Sequence, residues 1–295
     1  MSIRPTRPRL TLLAACVAGA LAGCYPPHGN PSFDIDAWAA RSVIAKLRHD
    51  PQPLPRPLVI IGGWTDPGLS PAILAWRARR ATGDDRVLPI DMAFVFTTEQ
   101  ARRRVIERVI DRFGTDAQGR PPEVDVVGFS MGGLVARYTA LPPRPEVATD
   151  KDRGLPRLQI ARLFTIATPH RGAQAATWPT VDAMVMDMRP GSPFLAYLDA
   201  AGDPDAPSTD GLPQPSAFEA RVGFPVVAYG VNPDHIVGAA NSSPTTRPPY
   251  WLDPPWLTIS PHLAVLDDPR IAADILLRLT GQPPLTTDPP APLPD

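Results

Sequence analysis

The sequence of 295 residues predicts an α/β protein in which a mostly parallel sheet of about six strands carries helices on both faces. Short, continuous apolar runs such as Leu58-Val59-Ile60-Ile61 alternate with longer segments of helical periodicity. That alternation is typical of parallel strands that are buried on both faces. The segment from about 173 to 220 breaks the alternation, and we interpret it as an insertion that caps the sheet.

The strands and helices can be placed in order along the chain. Apolar runs bounded by turn residues predict strands at 58–62, 87–91, 124–128, 160–166, 225–230 and, weakly, 256–259. Apolar residues recurring every three or four positions predict helices at about 34–48, 70–81, 98–113, 131–141 and 267–280. Helices between strands provide the crossovers that parallel strands need.

The N-terminus has the composition of a secretory signal. Arg4, Arg7 and Arg9 precede an apolar stretch without acidic residues, from 10 to 23. This stretch is too short to span a membrane as a mature helix. Residues 1–23 are therefore interpreted as a signal peptide.

The predicted signal peptide is followed directly by a cysteine, in Leu21-Ala22-Gly23-Cys24. This segment resembles the bacterial lipobox, and the resemblance implies that Cys24 carries a lipid. Residues 24–57 would then be a lipidated tether and an N-terminal helix. The expected location is the cell envelope, at the outer membrane or the periplasmic face rather than in the cytoplasm. An ordinary secreted protein with a cysteine near its cleavage site is the alternative.

The rest of the chain is interpreted as one domain, 58–281, followed by a proline-rich tail, 282–295, that is predicted to be disordered. The formal net charge of -1 gives no electrostatic support for a nucleic-acid partner. No group of histidine, cysteine and acidic residues has the spacing of a metal site, so no metal is predicted.

The strongest motif is Gly128-Phe129-Ser130-Met131-Gly132, which stands between a predicted strand and a predicted helix. A serine hydroxyl reacts only when it is exposed and paired with a base. A sharp strand-to-helix turn exposes it, and glycines are needed where side chains would collide with the neighbouring backbone. The context therefore predicts that Ser130 is a nucleophile.

A tetrahedral intermediate at Ser130 would need two backbone N–H donors for its oxyanion. One is expected from Met131, the residue after the nucleophile. The other is expected from Trp64, which follows Gly62 and Gly63 at the end of the first strand. Many lipases have His-Gly at this point, so Gly62 is a departure from their pattern.

Only three histidines follow Ser130, so the base can be chosen by elimination. In hydrolases with such a turn, the chain order is serine, acid, histidine. His170 precedes every plausible acid, and His235 directly follows the preferred acid, which it cannot easily face. His262, in a loop before the last helix, is therefore predicted to be the general base.

The acid must fix the histidine tautomer and stabilise the imidazolium. Asp234 lies a few residues after the predicted strand 225–230 and is preferred. Asp253, in a proline-rich loop, and Asp267, at the start of a helix, remain alternatives.

Three further segments extend the pattern. Residues 165–172 are similar to a Thr-Pro-His-x-Gly segment after the sixth strand of α/β-hydrolase lipases, 188–195 look like the start of their cap segment, and 262–269 look like their histidine loop. With the serine motif, they make residues 58–280 resemble these lipases, particularly bacterial triacylglycerol lipase/esterase-like proteins.

The resemblance implies an α/β-hydrolase fold whose sheet begins at the family's third strand. It implies a triad of Ser130, Asp234 and His262, oxyanion donors at Trp64 and Met131, and a structural role for His170. It also implies hydrolysis of a lipid or small carboxylic ester without a cofactor. An acyltransferase using the same triad and a catalytically inactive, lipid-anchored envelope protein are the alternatives.

Overall fold

The computed structural model describes residues 31–200, 223–254, 258 and 260–294. The predicted signal peptide and Cys24 lie outside the described residues, as does the part of the predicted cap from 201 to 220. Within the described ranges, no helix combines the length and the apolar character needed to cross a bilayer.

The core of the fold is a six-stranded sheet in which all neighbouring strands run parallel, in the order β2-β1-β3-β4-β5-β6. The strands are β1 Leu58–Ile61, β2 Val87–Ile90, β3 Val124–Phe129, β4 Ile160–Ile166, β5 Val226–Val231 and β6 Tyr250–Leu252. The central strand β3 is buried along its whole length. This confirms the predicted parallel α/β sheet.

Helices cover both faces of the sheet. They are α1 Ala37–His49, α2 Leu69–Thr82, α3 Thr98–Phe113, α4 Met131–Thr139, α5 Asp150–Arg153, α6 Ala183–Asp187, α7 Pro193–Ala200, α8 Pro261–Ala264 and α9 Pro269–Leu279. Because side chains alternate along a strand, Leu58 and Ile60 pack with α1, α2 and α9. Val59 and Ile61 pack with α3, α4 and α7 on the other face.

The long helices begin within about three residues of the predicted positions, and their caps show why. The Asp36 carboxylate accepts a hydrogen bond from the Ala39 N–H before α1, and the Thr97 hydroxyl accepts one from Gln100 before α3. These bonds satisfy N–H groups that have no partner inside the helix. The last long helix begins at Pro269, after its capping residue Asp268, rather than at 267.

The sixth strand differs from the sequence prediction. Hydrogen-bonded pairing places β6 at Tyr250–Leu252, where Trp251 and Leu252 are buried. The prediction favoured 256–259, of which 256, 257 and 259 lie outside the described residues. A run of three residues between prolines is too short to show a strand pattern in the sequence.

The proline-rich tail also differs from the prediction, because it packs against the domain. The buried carboxylate of Asp274 in α9 accepts a hydrogen bond from the backbone N–H of Thr286 at 3.0 Å. The Trp251 indole donates to the carbonyl of Ala291, and Phe33 forms a bridge with Thr286. Composition indicated disorder because it does not reveal these partners, of which Phe33 and Trp251 lie far from the tail in the sequence.

The connections that follow β1, β3, β4 and β5 leave from the same edge of the sheet, because all strands are parallel. This edge therefore brings together segments that are far apart in the sequence. In open parallel sheets, ligands bind in the crevice outside this carboxyl edge. Trp64, Ser130, Met131 and Asp234 lie in these connections, and His262 follows β6.

Candidate active site

Ser130 occupies a sharp turn between the end of β3 and the start of α4. Its backbone has φ 51° and ψ -127°, a conformation that side-chain-bearing residues rarely adopt. Such a conformation costs on the order of 1–3 kcal/mol and persists only where the surroundings enforce it. Here the Ser130 N–H donates to the Ile166 carbonyl of β4 at 2.8 Å, which holds the turn against the sheet.

Three glycines allow the helix to start this close to the strands. A Cβ atom on Gly128 would lie 2.5 Å from the Cα of Gly133, and one on Gly132 would lie 2.4 Å from the carbonyl oxygen of Ile61. A Cβ atom on Gly133 would lie 2.2 Å from the Thr168 hydroxyl. The backbone cannot move aside in the first two cases, so the motif requires glycine at both positions.

His262 is the hydrogen-bond partner of the serine. Its Nε2 lies 3.0 Å from the Ser130 Oγ, and its imidazole is almost fully buried. The ring lies beside that of Phe129, with 5.3 Å between the ring centroids. The short helix α8 therefore presents the imidazole edge-on to the hydroxyl.

Asp234 completes the chain of hydrogen bonds. Its Oδ2 lies 2.8 Å from the Nδ1 of His262. Its Oδ1 accepts hydrogen bonds from the backbone N–H groups of Ile236 at 2.9 Å and Val237 at 3.0 Å. Because an ionised carboxylate only accepts hydrogen bonds, the Nδ1 carries the proton and the Nε2 can accept one from Ser130.

The structure thus brings Ser130, Asp234 and His262 together as the sequence predicts. The alternative acid Asp267 is exposed and pairs with Arg77 instead. His235 is exposed.

The loop after β1 passes directly beside the nucleophile. A Cβ atom on Gly63 would lie 3.3 Å from the Cβ of Ser130. Among the described residues, the backbone N–H groups of Trp64 and Met131 have no acceptor in the protein. Both groups are therefore available to a ligand at Ser130, which is what an oxyanion site requires.

The side chain of Trp64 connects this loop to the cap. Its indole N–H donates to the Oδ2 of Asp182 at 3.3 Å, while the Oδ1 of Asp182 accepts from the N–H groups of Met184 and Val185 and so caps α6. Sequence reasoning missed Asp182. The only available signal was an acidic residue directly before a short helix.

A cavity of about 600 Å³ opens at Ser130 and His262. Its walls come from the loop after β1, from the cap and from the segment after Asp234, and they are mainly apolar: Leu69, Phe129, Pro169, Ala173, Ala176, Val185, Met188, Ile236, Val237 and Leu263. This volume is within the range of small-molecule sites, roughly 300–1,000 Å³. Within the described parts of the chain, no group of acidic, histidine or cysteine side chains could hold a metal ion.

The apolar residues predicted for the cap serve two purposes. Val185 and Met188 line the cavity, whereas Met184, Phe194 and Leu198 are buried in the core on the α3 and α4 face of the sheet. The cap is therefore both a wall of the cavity and part of the hydrophobic core.

Ion pairs of two arginines, one buried and one largely buried, fix the cap to the body. The fully buried Arg137 of α4 donates to the carbonyl of Leu198 at 3.1 Å and pairs with Asp199 at 2.8 Å. Arg144 pairs with both Glu99 of α3 and Asp187 of α6. Burial is the main cause that raises the pKa of Asp187. No sequence pattern indicates these pairs, because their members lie far apart in the chain.

His170 lies in the core, away from the serine. Its Nε2 is 3.1 Å from the Thr165 hydroxyl and its Nδ1 is 3.4 Å from the Nη1 of Arg137. Burial, and then the positive charges of Arg137 and Arg171, hold the pKa of His170 well below its usual value. Since the guanidinium can only donate, the Nδ1 accepts and the Nε2–H donates to Thr165.

A family model described as the PGAP1-like alpha/beta domain matches residues 97–186. This span contains Ser130 and Met131 but neither Asp234 nor His262. No curated protein matches the sequence.

Solved structures of similar architecture include a lipase from Bacillus licheniformis, BlEst2 in its mature form, with 16% identity over 78% of this chain and 94% of that chain and a TM-score of 0.47. Lipase B from Aspergillus fumigatus has 12% identity over 90% of this chain and 65% of that chain, with a TM-score of 0.45. Phospholipase PlaB from Legionella pneumophila has 12% identity over 63% of this chain and 45% of that chain, with a TM-score of 0.41.

The parallel strand order, with helices on both faces and a serine turn after the central strand, is that of the α/β-hydrolase fold. The chain therefore has this fold, with a sheet that is open at both edges.

The buried neutral state of His170 predicts a pH dependence of stability. Below about pH 6.5 the unfolded chain binds a proton that folded His170 excludes, so the free energy of unfolding falls as the pH is lowered, by up to about 1.4 kcal/mol per pH unit. His170→Gln should remove this part of the slope between about pH 6.5 and 5. Urea unfolding at several pH values measures the slope of the free energy of unfolding against pH.

His49→Gln, at an exposed site, is the control and should keep the wild-type slope. Equal slopes for the wild type and His170→Gln would contradict the prediction.

Proposed function

We propose that this protein is a serine carboxylic-ester hydrolase, a lipase or esterase, that forms an acyl-enzyme on Ser130. The observation that carries the proposal is the hydrogen-bond chain from Asp234 through His262 to Ser130, at the mouth of an apolar cavity. An exposed serine, a base and an acid in this order form the constellation that activates a hydroxyl for acyl transfer.

In the acylation step, the Ser130 Oγ attacks the ester carbonyl and its proton passes to the Nε2 of His262. Asp234 holds the Nδ1–H and stabilises the imidazolium that results. The carbonyl oxygen becomes negatively charged and accepts hydrogen bonds from the Trp64 and Met131 N–H groups. When the C–O bond breaks, the alcohol takes the proton from His262 and leaves an ester on Ser130.

Water completes the cycle by the same route. His262 takes a proton from water as the water oxygen attacks the acyl carbonyl, and then returns it to the Ser130 oxygen as the carboxylic acid departs. Every proton passes through the Nε2, so a single imidazole serves as base and acid in both halves. No metal or redox cofactor is needed for this chemistry.

The composition of the cavity supports a substrate with an apolar acyl group. Leu69, Val185, Met188, Ile236 and Leu263 line the space beside the nucleophile. The flexible thioether of Met188 can adapt to chains of different shape. We therefore propose a lipid or a medium-chain ester as the substrate class.

A panel of p-nitrophenyl esters with increasing acyl length tests this proposal. The wild type should hydrolyse them with a preference for medium chains. Ser130→Ala should lower kcat by more than about a thousandfold because the acyl-enzyme cannot form without the Ser130 hydroxyl. Asp234→Asn should lower kcat by up to about 10⁴-fold with little change in KM.

Ser42→Ala, on the solvent side of α1, is the matched control and should retain wild-type rates. Hydrolysis by Ser130→Ala at the wild-type rate would refute the proposed nucleophile. A flat profile over acyl length would refute the proposed substrate class.

We also propose that the enzyme is attached to the cell envelope by a lipid on Cys24, on the evidence of its lipobox-like segment. Cys24→Ser should abolish incorporation of labelled fatty acid and release the protein from the membrane fraction. Cys16→Ser removes the other cysteine of the chain and should change neither readout. Fatty-acid labelling that persists in Cys24→Ser would exclude this anchor.

A further inference from the structure

Basic residues are concentrated in the first two helices. Neither α1 nor α2 contains an acidic residue, and together they contain six basic ones: Arg41, Lys46, Arg48, Arg77, Arg79 and Arg80. Since the whole chain has a formal charge of -1, all the other residues together have a charge of -7. The acidic residues nearest in sequence to α1, Asp36 and Asp50, lie at its two ends.

Two of these six side chains are engaged within the protein, because Arg77 pairs with Asp267 and Arg79 donates to the Val87 carbonyl. The other four are exposed. They share the outer surface of α1 and α2 with exposed apolar side chains. We define the basic face as Trp38, Arg41, Arg48, Ile73, Trp76 and Arg80; Lys46 lies on the other flank of α1, beside the end of α9.

The aromatic residues of the basic face are unusually accessible. Trp38 is 74% exposed and Trp76 is 51% exposed. The guanidinium carbons of Arg48 and Arg80 lie 5.4 Å and 5.2 Å from the Trp76 ring centroid. The Arg48 contact joins α1 to α2, and the two contacts together place two positive charges around an indole that remains half in solvent.

The apolar part of the basic face leads to the cavity. Leu69, at the start of α2, lines the cavity, and Ile73, Trp76 and Arg80 follow it at helical spacing, all exposed. The stripe from Leu69 to Arg80 is about 16 Å long. It therefore connects the mouth of the candidate active site to the surface of α1.

We propose that the basic face is a docking surface for a bilayer of anionic phospholipids. Exposed tryptophans are favoured at the membrane interface, where the ring meets acyl chains and the N–H meets water. Arginine and lysine place their alkyl stems in the interface and their charges against phosphate. The face is formed by the outer surfaces of two helices, and its charge is complementary to such a bilayer.

The position of the face along the chain favours the same occupant. The segment 1–30, which carries the predicted membrane attachment at Cys24, precedes α1 by only a few residues. A chain held at Cys24 would keep α1 close to the bilayer. Docking through α1 and α2 would then bring Leu69, and with it the cavity mouth, to the lipid surface. The docking itself does not depend on the proposed ester hydrolysis. Only the functional value of placing the cavity mouth at the lipid surface rests on that proposed function.

The test uses the full-length protein and vesicles of equal parts phosphatidylglycerol and phosphatidylcholine that contain a brominated phosphatidylcholine, which quenches nearby tryptophans. Quenching should occur on these vesicles and be weaker on phosphatidylcholine alone. It should fall by at least half in Trp38→Phe/Trp76→Phe. Arg41→Gln/Arg48→Gln should weaken partitioning into the anionic vesicles by about fivefold for each cation removed.

Lys151→Gln/Arg153→Gln, which removes the same two charges from α5, is the matched control and should partition like the wild type. Quenching that is unchanged in Trp38→Phe/Trp76→Phe would overturn the proposal, because the tryptophans of this face would then not contact the bilayer. That result would mean either that the face binds a protein partner or that the N-terminus alone attaches the chain to the membrane. Equal partitioning of the two charge variants would also overturn the proposal. Hydrolysis of a soluble short-chain ester by the same samples should be unaffected, and its absence in the wild type would refute the enzyme rather than the docking.

Discussion

The backbone conformation at Ser130 is the constraint on which the site depends. A side-chain-bearing residue at φ 51° is costly, and it is held there by the bond to Ile166 and by a helix that starts almost in contact with two strands. Only glycines at 128 and 132 permit that approach. The packing of the buried parallel sheet offsets the conformational free energy of this turn. The turn directs the Ser130 hydroxyl away from the strands, toward the carboxyl edge of the sheet.

That edge determines which residues can meet the hydroxyl. Since every strand runs the same way, the loop with Trp64, the loop with Asp234 and the helix with His262 all end beside Ser130. The cap closes the space above them. It is fixed by ion pairs of the buried Arg137 and the largely buried Arg144 in addition to apolar contacts. Asp182 links the cap to the loop after β1. Its carboxylate accepts hydrogen bonds at the N-terminus of α6 and also accepts one from the indole N–H of Trp64, the proposed oxyanion residue.

Most of this arrangement could be predicted from the sequence because its signals are local. Four-residue apolar strands, helix caps and a glycine-serine turn can each be identified from residues that are neighbours in the sequence. The chain order of serine, acid and histidine then selects Asp234 and His262. The parts that were missed are long-range or short. Arg137, Arg144 and Asp182 find partners far along the chain, β6 is too brief to show a pattern, and the tail is ordered by Asp274, which composition does not reveal. The distances within the site also required the structure.

Covalent labelling by a fluorophosphonate tests the central claim most directly. The reagent loses fluoride and phosphonylates a serine that is activated and supported by an oxyanion site. Mass spectrometry of the digested protein identifies the modified residue. The account predicts a single adduct on Ser130 that forms slowly or not at all in His262→Ala. No adduct on the wild type, or an adduct on another serine, would contradict it.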